Sequence, residues 1–147
     1  MARYVMRVRT DLEAREAFAF MADLSNFAEW DPGVSSAEQV QGDGPGLGAQ
    51  YDVEASGSML RYVVDVYEEP ERIRATARNR WITSVDTISV TPDTGGGAGG
   101  SIVTYDADLT LNGLLRIGDP LLALAFKRIG DKAAAGLVER LQGIRLD

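Results

Sequence analysis

Along the first ten residues apolar and basic positions alternate. Tyr4, Met6 and Val8 fall between arginines at 3, 7 and 9, with Val5 out of phase. A period of two predicts a strand with one buried face. Thr10 and Glu13 then stand at capping-box spacing, and Leu12, Ala17, Phe18 and Met21 form the apolar side of a helix. A second, shorter helical piece ends at Asp31-Pro32, because the residue before proline is biased away from the helix. It carries Phe27 and Trp30, whose spacing puts both rings on one face of a single turn. A face that small makes no core alone, so it must cover something.

From about residue 34 to 112 the pattern is strands and turns. Tyr51, Val53 and Ala55 oppose Gln50, Asp52 and Glu54. Leu60, Tyr62, Val64 and Val66 share a face, as do Ile73, Ala75 and Ala77 against Arg72, Arg74 and Arg78. Val103, Tyr105, Ala107, Leu109 and Leu111 face away from Thr104, Asp106, Asp108 and Thr110. The stretch 81–91 reads in two phases. One turns Ile82, Ser84, Asp86, Ile88 and Val90 inward. The other turns Trp81, Thr83, Val85 and Thr87 inward, and a bulge would switch between them. Strands so spaced, with no helix between them, make an antiparallel meander covered on one side.

The cover is the last segment. Asp119-Pro120 suits a helix start, and apolar residues recur at 122, 126, 129, 133, 137, 141 and 144. That spacing predicts a helix of about 25 residues, ~38 Å long. Gly130 and Gly136 lie inside it and each cost about 1 kcal/mol relative to alanine, which implies close packing or a bend. The class is α+β: one strand, two short helical pieces, further antiparallel strands to make about six or seven, and a long helix gripped by the bent sheet. One domain, 1–147, is expected. The inner face mixes Ala55, Ala75, Ala77 and Ala107 with Tyr4, Tyr51, Tyr62 and Tyr105. Small residues beside amphipathic rings admit two packings: a cavity with polar handles, or a filled core whose hydroxyls reach the surface.

Composition narrows the function. Of 147 residues 45% are apolar and 25% charged, as in globular proteins, and the net charge of −7 opposes binding to nucleic acid or an anionic membrane. With neither cysteine nor histidine, a thiolate nucleophile, a thiolate or histidine metal site and a Ser-His-Asp triad are all excluded. Proton transfer would fall to Asp, Glu, Lys, Tyr or water. "MARYVMRVRT" has no signal-peptide pattern and "LLALAF" is too short to span a bilayer, so a cytoplasmic protein without membrane insertion is expected. Its Ala, Gly and Arg usage suggests a bacterial source.

Several stretches in order resemble the START-like, polyketide cyclase/dehydrase and lipid-transport superfamily (SRPBCC), whose fold is called helix-grip. They are "FAFMADLSNFAEWDPGV", "GLGAQYDV", "DTISVTP" with "GGSIVTYDADLTLNG", and "GDPLLALAFKRIGDKAAAGLVERL". The resemblance covers essentially the whole chain. It implies a cavity between sheet and long helix, closed at one end by the short helices. Phe27 and Trp30 would then belong to its rim or lid, unless Trp30 plugs the junction of helix and sheet. The ligand-binding set so implied is Phe27, Trp30, Tyr51, Tyr62, Tyr105 and Phe126, with Asp86, Tyr62 and Tyr105 as candidates for catalysis.

Asp86 facing such a cavity would have a raised pKa and could serve as general acid or base; on the other phase it is a surface or structural carboxylate. Gly95, Gly97 and Gly100 match a G-x-G-x-x-G spacing, but a strand follows rather than a helix, so a hairpin loop is expected and no nucleotide site. Arg72, Arg74, Arg78 and Arg80 suit cross-strand ion pairing on a solvated face. Glu68, Glu69 and Glu71 match no defined metal loop. No cofactor is implied, and a homodimer is compatible with the sequence. Two function classes follow: a carrier of a hydrophobic lipid, polyketide or aromatic metabolite, and a cyclase/aromatase or dehydratase working on a chain inside the cavity. Partner binding in a stress or toxin system is a third role open to this fold, with no residue here to support it.

Overall fold

The computed structural model describes residues 2–94, 99–112 and 119–146, with side chains from Ala123 onward in the last segment. The sheet begins with β1 (Ala2–Thr10), whose inward residues Ala2, Met6, Val8 and Thr10 are buried while Arg3, Val5, Arg7 and Arg9 are exposed. Helix α1 (Ala14–Ala22) follows, then a 3₁₀ turn (Leu24–Asn26) and α2 (Phe27–Trp30). Strands β2 (Val34–Gln41), β3 (Gln50–Ala55), β4 (Ser58–Glu68), β5 (Arg72–Arg78), β6 (Ile82–Pro92) and β7 (Ser101–Leu111) form a meander. The chain closes with α3 (Asp119–Leu141) and the two-residue β8 (Ile144–Arg145).

Among the described residues this is one eight-stranded sheet in the order β2-β3-β4-β5-β6-β7-β1-β8, with every pairing antiparallel. The count exceeds the expectation because Ile144, assigned by spacing to the helix, lies in β8 against Arg9. β3 and β4 join through Ser56 and Gly57, both at positive φ, the backbone that a tight two-residue hairpin requires.

Two local expectations are corrected. Thr10 does not cap α1: it is the last residue of β1, and its hydroxyl accepts from the Leu12 N–H (3.3 Å) and donates to the Leu141 carbonyl (2.8 Å). The helix starts after Glu13 with no side-chain cap. In β4 a register shift between Val64 and Val66 turns Tyr67, rather than Val66, against the core, where its ring meets Phe18 at 5.6 Å. A bulge reverses the in-out phase of all that follows it.

Of the four arginines expected to form cross-strand ion pairs, Arg72 and Arg74 do so, as does Arg61, while Arg78 and Arg80 find neutral partners. Arg61 grips Asp52 through two bonds (2.7 and 3.0 Å), Arg74 meets Asp65 at 2.8 Å and Arg72 meets Glu68 at 2.5 Å. Arg78 donates to Thr83, and Arg80 stacks on Trp81. Exposed pairs of this kind contribute about 0–1 kcal/mol each.

α1 lies on β6 and β7, whereas α3 makes its main sheet contact along β1 and also packs on α2. The two helical glycines sit at those contacts. A Cβ on Gly130 would meet the Tyr4 ring at 2.5 Å, and one on Gly136 would overlap the Trp30 carbonyl oxygen. The apolar stripe of α3 is buried at Ala133, Leu137 and Leu141, half-buried at Phe126 and exposed at Ile129. The helix is therefore seated at its C-terminal half and stands off the sheet towards its start. Position 122, the side-chain cap at Asp119 and the loop at Gly95 and Gly97 lie outside the described residues.

Candidate functional site

The space left under α3 is a cavity of about 490 Å³. The sheet contributes Met6, Val53, Leu60, Tyr62, Ala107 and Leu109, and α3 contributes Phe126, Ile129, Gly130 and Ala133. α2 closes one end with Phe27 and Trp30. Trp81, Ile82, Leu111, Phe126 and Ile129 line it and are at least partly exposed, as are Ala55, Ser56 and Ser58 at the β3–β4 turn.

Strand β6 takes the phase that turns Ser84, Asp86, Ile88 and Val90 inward. Register explains how a carboxylate fits there. Asp86 pairs with Ala75 on one side and Ala107 on the other, and methyl side chains leave it uncovered. Tyr62, Ala77 and Ser84 form one row across β4, β5 and β6. Because Ala77 is short, the Tyr62 ring passes over it and its hydroxyl lies 3.2 Å from Ser84 Oγ and 3.3 Å from Asp86 Oδ2. Ser84 donates to Asp86 Oδ1 at 2.8 Å, and the Tyr105 hydroxyl donates to Oδ2.

Asp86 is 6% exposed. Burial pushes its pKa up to about 6 against the opposing bonds from Tyr105, Ser84 and Tyr62, with the Asp31 charge adding to the rise. Tyr62 and Tyr105 are pushed well up, by burial first and then by the Asp86 charge. The phenols are hydrogen-bond donors at neutral pH, not bases. Asp31 also lines the cavity. Its Oδ1 accepts from the Gly33 N–H at 2.8 Å, and burial raises its pKa while that bond opposes the rise.

The rings form one connected wall: Phe27 to Trp30 5.3 Å, Phe27 to Tyr62 6.0 Å, Phe27 to Tyr105 6.2 Å and Trp30 to Tyr105 5.5 Å. Trp30 is 4% exposed, an inner wall rather than an outer rim, and it also meets α3 at Gly136.

Of the residues singled out from sequence, Phe27, Trp30, Tyr62, Tyr105, Phe126 and Asp86 are brought together on this cavity. Tyr51 is not on its wall. It is fully buried beside Tyr62 in register, and its hydroxyl, near Asp23 and the Leu24 backbone, makes no well-formed hydrogen bond among the described residues. Burial, then the Asp23 charge, pushes its pKa up to about 12. Asp31, Ser84 and Trp81 were missed as site residues. Asp31 was read only as a helix stop, and Ser84 and Trp81 belonged to rival phases of one strand.

A curved antiparallel sheet holding a long C-terminal helix, with a cavity between them, defines the helix-grip class. The chain belongs to the polyketide cyclase / dehydrase and lipid transport family, whose model matches residues 1–142. No curated protein matches it. Among solved structures it is similar to the protein XoxI of Bacillus cereus, at 16% identity and TM-score 0.72 over 97% of this chain and 96% of that one. A START superfamily protein of Mycobacterium smegmatis matches at 16% identity and TM-score 0.71, over 97% of this chain and 98% of that one. Major latex-like protein 151 of Panax ginseng matches at 11% and 0.57, over 89% and 97%. At such identities the likeness carries the fold alone.

Proposed function

We propose that the protein binds a hydrophobic small molecule, of lipid, polyketide or aromatic-metabolite type, in the cavity between the sheet and α3. The observation that carries this reading is the space itself: about 490 Å³ with mostly apolar walls and a few convergent polar groups at Asp86, Tyr62, Ser84 and Tyr105. Volume and lining of this kind suit a small-molecule site. The ligand-contacting residues are proposed to be Phe27, Trp30, Tyr62, Tyr105 and Phe126. Native mass spectrometry of the purified protein, with extraction of what it carries, tests the reading. A co-purifying apolar molecule is the expected result. A bare mass together with no uptake of medium-chain alcohols on titration would overturn it.

A second reading, a cyclase or dehydratase acting in the same cavity, has one observation in its favour. The Asp86 carboxyl, pushed up to about 6 by burial, titrates near the working range of a general acid or base. Deuterium exchange at the acidic carbon of a simple β-diketone tests it, with catalysis expected from the native protein and not from Asp86→Asn. Equal exchange rates in both would remove Asp86 from catalysis.

A further inference from the structure

The polar corner of the cavity has an unusual donor count. Asp86 offers only acceptor oxygens when ionised. Around it stand the hydroxyls of Ser84, Tyr62 and Tyr105, each with one proton. Ser84 gives its proton to Oδ1 and Tyr105 gives its proton to Oδ2. The Tyr62 proton goes to either Asp86 or Ser84. Every proton of the cluster is thus spent within it. What remains to face a ligand is hydroxyl lone pairs and a negative charge.

Among the described residues, nothing on the wall balances that charge. Asp31 lines the same cavity, and its charge opposes the ionisation of Asp86. Among the described residues no lysine or arginine lines the cavity. Lys127, on α3 itself, is spent on Asp131 one helical turn further on, at 2.8 Å. Among its described side chains, α3 presents only Phe126, Ile129, Gly130 and Ala133 to the space. A buried carboxylate without a counter-charge is costly, and a partner that supplies the charge relieves the cost. The connected wall of Phe27, Trp30, Tyr62 and Tyr105 adds to this, because ring faces attract a cation.

We infer that the ligand carries a protonated amine on an apolar body, with the ammonium group set against the Asp86–Tyr62–Tyr105 corner and the body along the apolar walls. This rests on reading the cavity as a binding site. It makes the site a poor host for fatty acids, whose carboxylate would meet Asp86 and Asp31 with no donor free to receive it.

A matched series of octylamine, octanol and octanoate, titrated into the full chain at about pH 8 and followed by calorimetry, tests the inference. The expected order is amine, alcohol, acid, with the amine at least tenfold tighter than the acid, a difference of about 1.4 kcal/mol. Asp86→Asn should bring amine and alcohol within a few-fold of each other; Asp31→Asn, tested alongside, keeps the comparison open should the first variant not fold. Octanoate binding as tightly as octylamine would overturn the inference and leave the cavity reading standing. Binding of none of the three would remove both.

Discussion

The burial of Asp86 makes a measurable demand on stability. Its native pKa stands at about 6, above the 3.8 of an unperturbed aspartate. The native state therefore holds this proton more tightly than the unfolded chain does. The stability it contributes is fully present below about pH 4 and is lost as pH rises through about 6. A displacement of about two pH units corresponds to about 3 kcal/mol at 1.36 kcal/mol per unit. Asp31, whose pKa is also raised, acts with the same sign. Asp52, Asp65 and Asp131, held low by Arg61, Arg74 and Lys127, act with the opposite sign and gain stability as pH rises. Comparing the protein with Asp86→Asn cancels those opposing contributions, since both forms retain them. Asparagine keeps the shape and removes the titration. Urea unfolding of both proteins between about pH 3.5 and 8 should show their stability difference moving by about 3 kcal/mol in favour of Asp86→Asn. A difference that stays flat with pH would refute the reasoning. It would mean that the carboxylate is solvated as well in the cavity as in the unfolded chain, and that no charge waits there for a partner.

Three further outcomes follow from packing. Gly136→Ala places a methyl against the Trp30 carbonyl and within 3.2 Å of Pro32; it should destabilise by about 1–3 kcal/mol despite the roughly 1 kcal/mol that alanine gains in a free helix. A thermal melt showing a stabilised variant would mean that α3 can slide off α2. Trp30→Ala removes a ring that is 4% exposed and should cost about 3–5 kcal/mol in chemical denaturation, so an unchanged midpoint would deny it a place in the core. Tyr51→Phe deletes a buried hydroxyl with no well-formed bond and should be neutral or stabilising by up to about 1 kcal/mol, whereas a loss above that would reveal a partner such as water.

How much of this was legible depended on whether neighbours in sequence or in space decide the matter. The alternations in β1, β3, β5 and β7 predicted their buried faces because one side of the sheet is covered and the other is wet. The phase of β6 was not readable. Its two faces, Ile82-Ser84-Asp86 and Trp81-Thr83-Val85, are about equally mixed, and the choice is made by Ala75, Ala77 and Ala107 on the strands beside it. The bulge after Val64 left no mark in the alternation of β4. Thr10 and Glu13 had the spacing of a cap, yet β7 holds Thr10 in the sheet through Ser101. Tyr51 was rightly placed inward but not along the strand axis. It sits on the closed side near Asp23 and Leu24, and no local pattern distinguishes that side from the cavity side.

The openness of the cavity follows from where α3 is anchored. At Gly130 the helix comes against the Tyr4 ring, and at Gly136 against the Trp30 backbone. Tyr4 is itself fixed, donating to Asp131 at 2.6 Å and accepting from Arg145 at 2.8 Å. Both anchors lie at the β1 and α2 borders of the site. Neither draws α3 down onto β3, β4 or β6. The side chains that face the gap at Ala55, Ala107 and Ala133 are too short to close it. Filling the gap would take larger residues at those alanines, and Ala107 is also the neighbour that leaves Asp86 uncovered. The substitution that would best fill the core would thus also cover the carboxylate. Space and charge are tied to the same small residues, and that coupling is why the cavity and its acidic corner are best read as one site.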